Sequence, residues 1–365
     1  MMMISKYKTT LISCYYLLVS MFDSIPGYEG IAAGGGGAYL PPPIPSVLTP
    51  VPEHASSSPE WHNNIPSISE GRAHQAFEEY VSSKCCYSSA PVREGVITNM
   101  ESFGTYRYRL ETFTESRSTE WSQEPYTGQH VDASIQHPPG PWEMAAQPPS
   151  YFTDHMETIR VPYTSSVKKC NPCSGMGKNS CSSCTGTGSK VCSECNGSRQ
   201  RPDNESCDKC DYRGQEECSS CSGSGFHKCD TCDGKGQLLV FISLKVKWNT
   251  EKDDYTAQDS SGLRPEKLGK VSGKELFKDA QIMVYPVMGF PDVSVAQASE
   301  RLIRDHQVKY TKDSRIIQQR QTIELITITR VNYTWKEKSY VYYVYGNELK
   351  VNADDYPATC CCSVM

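Results

Sequence analysis

The chain has 365 residues, enough for two or three domains, with 38% hydrophobic residues, 23 prolines and 26 glycines. That apolar share is low for one compact globule and fits folded parts joined by linkers. A formal net charge of −5 excludes a strongly basic protein that binds nucleic acid mainly by neutralising phosphates.

Residues 11–22 (LISCYYLLVSMF) form an apolar run behind Lys6 and Lys8. The run is too short to span a bilayer as a helix. It has the length of a signal-peptide core, but no A-x-A-like cleavage site follows it. Gly34 to Gly37 and the prolines of PPPIPSVLTPVPEHASSSP make a linker that cannot bury a core. Residues 1–68 are therefore expected to be a disordered region.

Folding begins near Ser69. Ala73, Ala76, Phe77, Tyr80 and Val81 follow the spacing of an amphipathic helix. Residues 92–98 and 104–113 (GTYRYRLETF) alternate and are rich in aromatics, so both read as strands. Cys85 and Cys86 are adjacent and cannot share one metal as a knuckle does; buried thiols at the helix end are expected. A proline-rich stretch at 136–150 leads to a short strand near 157–163, closing a segment at 69–165.

Residues 166–237 carry the chemistry. Six CxxC pairs begin at Cys170, Cys181 and Cys192, then at Cys207, Cys218 and Cys229, and hold 12 of the chain's 18 cysteines. The step within each trio is 11 residues and the central gap is 15. A CxxC pair places two thiolates on one tight turn, and two such turns complete a tetrahedral all-sulfur zinc site. The palindromic spacing implies that the segment folds back at 196–206 and pairs from the outside inward. Cys170 and Cys173 would meet Cys229 and Cys232; Cys181 and Cys184 would meet Cys218 and Cys221; Cys192 and Cys195 would meet Cys207 and Cys210. Three zinc ions per chain along one extended hairpin are expected. A disulfide framework needs no CxxC regularity and belongs to small secreted domains. Redox CxxC sites usually occur singly beside a βαβ unit. A site with four cysteine ligands is closed to water and serves structure.

Four of the six motifs are full CxxCxGxG, as in CSSCTGTG and CSSCSGSG. They resemble the cysteine-rich zinc domain of DnaJ-type co-chaperones, in which the first motif pairs with the last. This chain departs from that pattern in having six pairs rather than four. The inner motifs, CSECNGSR and CDKCDYRG, lack the full glycine set, which makes the innermost zinc the least secure.

Residues 237–248 (QLLVFISLKVKW) read as a strand, so the zinc segment is expected to leave and rejoin one sheet. Ser294 with Gln297 forms a capping box that opens a helix through about His306, with Val295, Ala298 and Leu302 inward. Residues 322–333 and 339–345 read as strands, and Gly346-Asn347 as a turn. The run YVYYVY could stack a ligand, but cross-strand aromatic packing is the commoner cause. Residues 238–356 are thus a β-rich domain. Residues 357–365 end in CCCSVM. Cys362-Ser363-Val364-Met365 fits a farnesylation signal, and Cys360 and Cys361 are candidate palmitoylation sites that would make a lasting membrane anchor.

Outside the cysteine array, SKCCYSSA at 83–90, YRLETFTESR at 108–117, QQRQTIELI at 318–326, YVYYVYG at 340–346 and the terminal cysteines resemble one animal family, the homologues of the worm suppressor of squashed vulva. The resemblance runs from about Ser69 to the end. It implies a DnaJ-like cysteine-rich centre, a cytoplasmic or nuclear address and a regulatory role in development, more than any activity. The fold expected is α+β and multi-domain: an extended zinc-stabilised β-hairpin inserted in a β-rich region with few helices.

The chain has no GxSxG elbow, no P-loop, no HExxH, and no His-Pro-Asp of a co-chaperone J-domain; His137-Pro138-Pro139 lies in a linker. His227 lies among the knuckles, where sulfur ligands already suffice. Residues 168–237 hold ten Lys or Arg against nine Asp or Glu. Each zinc with four thiolates carries −2, so three bring the module to about −5. The expectation is a non-enzymatic zinc-stabilised module that binds a protein partner or client polypeptide, as a chaperone-like or adaptor surface. The alternatives are nucleic-acid binding through the knuckles, against which the missing basic face counts, and thiol–disulfide exchange at the inner pairs. Zinc thiols and prenylation both favour the cytosol over secretion.

Overall fold

The computed structural model describes residues 38–40, 42, 65–133, 135–201 and 205–359. The apolar run at 11–22, most of the proline-rich linker after it, and Cys360, Cys361 and Cys362 lie outside those residues. Thirteen strands are described: β1 (Ala38–Leu40), β2 (Val96–Pro125), β3 (His155–Arg160), β4 (Ser166–Lys169), β5 (Lys178–Ser180), β6 (Ser189–Val191), β7 (Gln215–Glu217), β8 (Phe226–Lys228), β9 (Gln237–Thr256), β10 (Lys274–Gln281), β11 (Arg315–Trp335), β12 (Lys338–Tyr345) and β13 (Lys350–Asn352). Three α-helices join them: α1 (Glu70–Ser82), α2 (Ala90–Glu94) and α3 (Val293–Tyr310). None is long and apolar enough to cross a membrane.

Strands make up 40% of the structure and helices 16%, which corrects the expected α+β class to a mostly β protein. The runs expected as separate strands merge into long ones. Residues 104–113 are part of the 30-residue β2, because Thr114, Arg117 and Thr119 continue the buried positions after the aromatics end. The extended hairpin is corrected as well. Only β5 with β8 and β6 with β7 form ladders, three residue pairs each. Between them the chain winds through left-handed turns at every knuckle, which a β ladder cannot hold. The cysteine segment is a series of compact clusters linked by short rungs.

The chain divides into two compact units. The second comprises Pro41–Ser116, Pro148–His155 and Lys247–Met365, and β11 is its spine. One edge of β11 pairs antiparallel with β2, from Arg315 opposite Glu115 to Thr334 opposite Val96. The other edge takes β10, then β12, from Ile328 opposite Tyr345 onward, with β13 beyond. Both faces of β11 are covered. Ile323 packs with Val284, Val287, Phe290, Val295 and Ile303, while Ile326 and Ile328 pack with Leu263, Leu268 and Val271.

Helix α1 buries Ala73, Ala76, Phe77 and Val81, and Ser69 Oγ accepts the Arg72 N–H at its start. Phe77 stacks on Tyr342 with centroids 4.0 Å apart and meets Tyr333 edge-on at 5.5 Å. Tyr342 is only 1% exposed, so the tyrosine run packs a core rather than offering a ligand platform. The strand expected at 92–98 starts instead at Val96, since Pro91 fits the first turn of α2, where its missing N–H costs nothing. Helix α3 starts one residue before the expected capping box: Asp292 Oδ1 accepts the Ser294 N–H at 2.9 Å. Val295 and Ala298 are buried as expected, joined by Ile303 and His306.

The first unit comprises Met1–Leu40, Arg117–Gln147 and Met156–Val246. Its strands centre on β9, with β2 on one side and β3 and β4 on the other. Leu238, Leu239, Ile242, Leu244 and Val246 of β9 are buried. The cysteine segment leaves from β4 and returns at β9, whose ends pair at Lys169 and Gln237.

Candidate metal centres

Each CxxC turn follows one backbone pattern. The residue after the second cysteine is left-handed without being glycine: Ser174, Thr185, Asn196, Asp211, Ser222 and Asp233, with φ between 47° and 52°. The residue four past that cysteine is again left-handed. At each turn its N–H points at the cysteine sulfur, as for Gly177 on Cys173 and Gly188 on Cys184 at 3.3 Å, Gly236 on Cys232 at 3.2 Å, and Arg199 on Cys195. Such N–H groups stabilise thiolate over thiol.

The turns bring the twelve cysteines into three buried groups: Cys170, Cys173, Cys229 and Cys232; Cys181, Cys184, Cys218 and Cys221; Cys192, Cys195, Cys207 and Cys210. Within each group all four sulfurs lie within 4.8 Å of one another. Across the fold the sulfurs are 3.9 and 3.7 Å apart in the outer group, 3.8 and 3.8 Å in the middle one, and 3.8 and 3.7 Å in the inner one. A tetrahedral ion with bonds of about 2.3 Å to sulfur needs its ligands about 3.8 Å apart. A disulfide would need about 2.05 Å. Each group could therefore hold one metal ion, and four thiolates suit zinc among other soft ions.

The thiols in a group do not share charge evenly. Burial pushes Cys170 up to about 12. The Glu216 carboxylate, with burial, raises Cys192 to about 12. Burial also pushes Cys181 up, but the Cys184 N–H and the His227 ring outweigh it and hold the thiol at about 5. The Cys232 N–H lowers Cys229 to about 7. A metal displaces the remaining protons, so its affinity falls as pH falls.

The inner group keeps the knuckle backbone with only two of its four glycines, Gly197 and Gly214. Arg199 stands four residues past Cys195 with φ 69°, and Tyr212 two past Cys210 with φ 62°. A side chain in this region costs about 1–2 kcal/mol, a strain the two outer groups avoid at both positions. Arg199→Gly should therefore tighten the inner site by about 1 kcal/mol, read as slower release of one ion in a chelator competition. Release as fast as in the parent chain would show that the strain is absorbed elsewhere.

Sequence reasoning did not anticipate a polar line in the second unit that runs from the exposed Asp253 to the buried His306, Thr112 and Gln319. Asp253 Oδ2 lies 2.8 Å from His306 Nε2, His306 Nδ1 lies 2.7 Å from Thr112 Oγ1, and Gln319 donates to Thr112 at 3.0 Å. The residue types match a relay for nucleophilic catalysis, but Thr112 is 0% exposed and its hydroxyl faces no solvent. The line ties α3 to β2, β9 and β11, and it combines partners too distant in sequence for any motif to show.

No family model matches the chain, and no solved structure does. Among curated proteins it is similar to the zebrafish (Danio rerio) Protein SSUH2 homolog, 70% identical over 95% of each chain. It is 42% identical to the human protein of that name over 94% of this chain and 92% of the human one. The mouse (Mus musculus) protein is 40% identical over 82% of this chain and 88% of its own. The likeness spans both units and the cysteine clusters, and the chain belongs to the SSUH2 homologue family, the suppressor of squashed vulva homologues.

Proposed function

We propose that each four-cysteine group holds one structural zinc ion, three per chain, and that the module they brace binds other proteins as a chaperone-like or adaptor surface without chemistry of its own. The sulfur spacing supports the metal, and four thiolate ligands leave no open position for a catalytic water. The observation that carries the binding reading is the apolar surface of the module. Met176 is 67% exposed, Val191 64%, Tyr212 56% and Phe226 37%, on a segment too small to bury them and held in place by its clusters. Apolar side chains exposed along a braced segment offer contacts to a protein partner. The near balance of charge gives phosphate little to hold. Zinc-binding thiols that stay reduced favour a cytosolic address for this activity, and the role proposed for it is a regulatory one in development. A lipid on Cys362 would tether the module to membranes.

The test is affinity capture from cells with the full chain, parallel samples being stripped with a zinc chelator and reloaded. Partners should appear with the loaded chain, vanish on stripping and return on reloading. Met176→Ser with Tyr212→Ser should weaken capture while metal content stays at three. Capture that survives stripping would refute the reading. Salt-sensitive binding of oligonucleotides would replace it with nucleic-acid recognition.

A further inference from the structure

Helix α1 ends at Ser82, and the chain turns at once toward α2. The Lys84 N–H donates to the Val81 carbonyl at 3.0 Å, and the Tyr87 N–H donates to the Lys84 carbonyl at 3.3 Å. The second bond closes a four-residue turn whose two corners are Cys85 and Cys86. Their sulfurs lie 3.4 Å apart. Cys85 is exposed and Cys86 half-buried, where the sequence suggested buried thiols. Neither belongs to a four-cysteine group.

The same turn holds residues 356–359 in place. Tyr87 and Thr359 form an antiparallel bridge. The Ser88 N–H donates to the Ala358 carbonyl at 2.9 Å, and the Tyr356 hydroxyl donates to the Ser88 carbonyl. The rings of Tyr87 and Tyr356 stack with centroids 4.5 Å apart and planes 4° apart. Every one of these contacts is made by the two residues that follow the thiols. A trans peptide sets neighbouring Cα atoms about 3.8 Å apart, below the roughly 4.4–6.8 Å that a relaxed disulfide spans. A bond between Cys85 and Cys86 would therefore distort the turn that carries it, and with it the seat of Tyr87.

We infer that Cys85 and Cys86 are a redox modification site: a disulfide oxidant closes them into a ring, and the closed ring loosens the hold of Tyr87 and Ser88 on residues 356–359. With glutathione disulfide as oxidant, the exposed Cys85 thiolate attacks one of its sulfurs and expels one glutathione thiolate. The Cys86 sulfur already stands at the separation of about 3–3.5 Å at which reacting atoms are poised. Its thiolate attacks the Cys85 sulfur of the mixed disulfide and expels the second glutathione thiolate. Two protein thiols lose two protons and two electrons, and one glutathione disulfide becomes two molecules of glutathione. The Cys86 thiol beside it holds Cys85 above the ordinary thiol range, which slows the first attack. The strained, exposed product is readily reduced. Both features keep the pair open until oxidant accumulates.

The full chain is treated with glutathione disulfide, alkylated without reduction and cut with trypsin. Cleavage after Lys84 and Arg93 releases the peptide 85–93 with both thiols. The expected result is this peptide without alkyl groups and lighter by two hydrogens than its reduced form. Dithiothreitol before alkylation should restore two alkylated cysteines. In Cys86→Ser the second sulfur is gone, so Cys85 should instead retain one glutathione. Hydrogen exchange at the Ser88 amide should be faster in the oxidised chain than in the reduced one, and unchanged by the oxidant in Cys85→Ser. The parent chain carries both main readouts, so the test stands even if a variant disturbs the turn. Two alkylated cysteines after oxidation, glutathione left on the parent peptide, a cross-link from 85–93 to another peptide, or a ring that leaves Ser88 exchange unchanged would each overturn the inference.

Discussion

Replacing Cys170 with serine should release one metal ion of three, and Cys232→Ser should release the same one. The two side chains belong to one group of four sulfurs although they stand at opposite ends of the cysteine segment. If Cys170 instead behaved as a partner of Cys181, consecutive fingers would be the correct reading. The effect is large because a structural zinc's binding energy is folding energy, about 10–16 kcal/mol in isolated zinc-finger peptides. The clusters also have little else to hold them: each is a knot of four buried cysteines, with only Leu238 joining the outer one. Complete chelation should therefore unfold the segment between β4 and β9. The amides of β11 and β12 should stay protected from hydrogen exchange, since their cores of Phe77, Tyr342, Val331 and Tyr333 contain no cysteine. Loss of protection in β11 on chelation would show that the second unit depends on the metal.

What the sequence disclosed depended on how local the physics was. CxxC spacing dictates where two sulfurs sit within a single turn, and the palindrome of 11-residue steps dictates which turns meet, so the three groups could be named from spacing. The class of fold was not legible in that way. Beyond the aromatic run of β2, the polar residues Thr114 to Thr119 look like loop until tertiary burial enlists them in one long strand. Strand β10 (KELFKDAQ) was missed because it is an edge strand with no fully buried residue, leaving almost no apolar alternation to detect. At α3, serine and glutamine three residues apart suggested a capping box, and the stronger acceptor Asp292 just before them took the role. The approach of Thr359 to Tyr87 joins distant parts of the sequence and has no local signature at all.

Gly236→Ala should abolish the outer metal group while leaving the other two loaded. The knuckles of one group touch backbone to backbone: a Cβ on Gly236 would lie 2.3 Å from the Gly175 carbonyl oxygen, and one on Gly177 would lie 2.3 Å from that of Gly234. Neither oxygen can yield, because each sits in the turn that aims its own cysteines. Gly236 also has φ +76°, where a side chain alone costs about 1–2 kcal/mol, and the clash adds to that. The N–H of Gly236 donates to Cys232 Sγ and its carbonyl accepts from the Cys170 N–H at 2.9 Å, so displacing it disturbs ligands on both sides of the site. The corresponding change in the inner group, Gly214→Ala, brings its Cβ to 2.8 Å from the Gly197 carbonyl oxygen and should be milder. Metal analysis of the two variants therefore ranks the contacts: about one ion lost for Gly236→Ala and less than one for Gly214→Ala. Three ions retained by Gly236→Ala, with chelator sensitivity unchanged, would mean that the two knuckles can part without losing the metal, and that the sulfurs alone hold the outer group together.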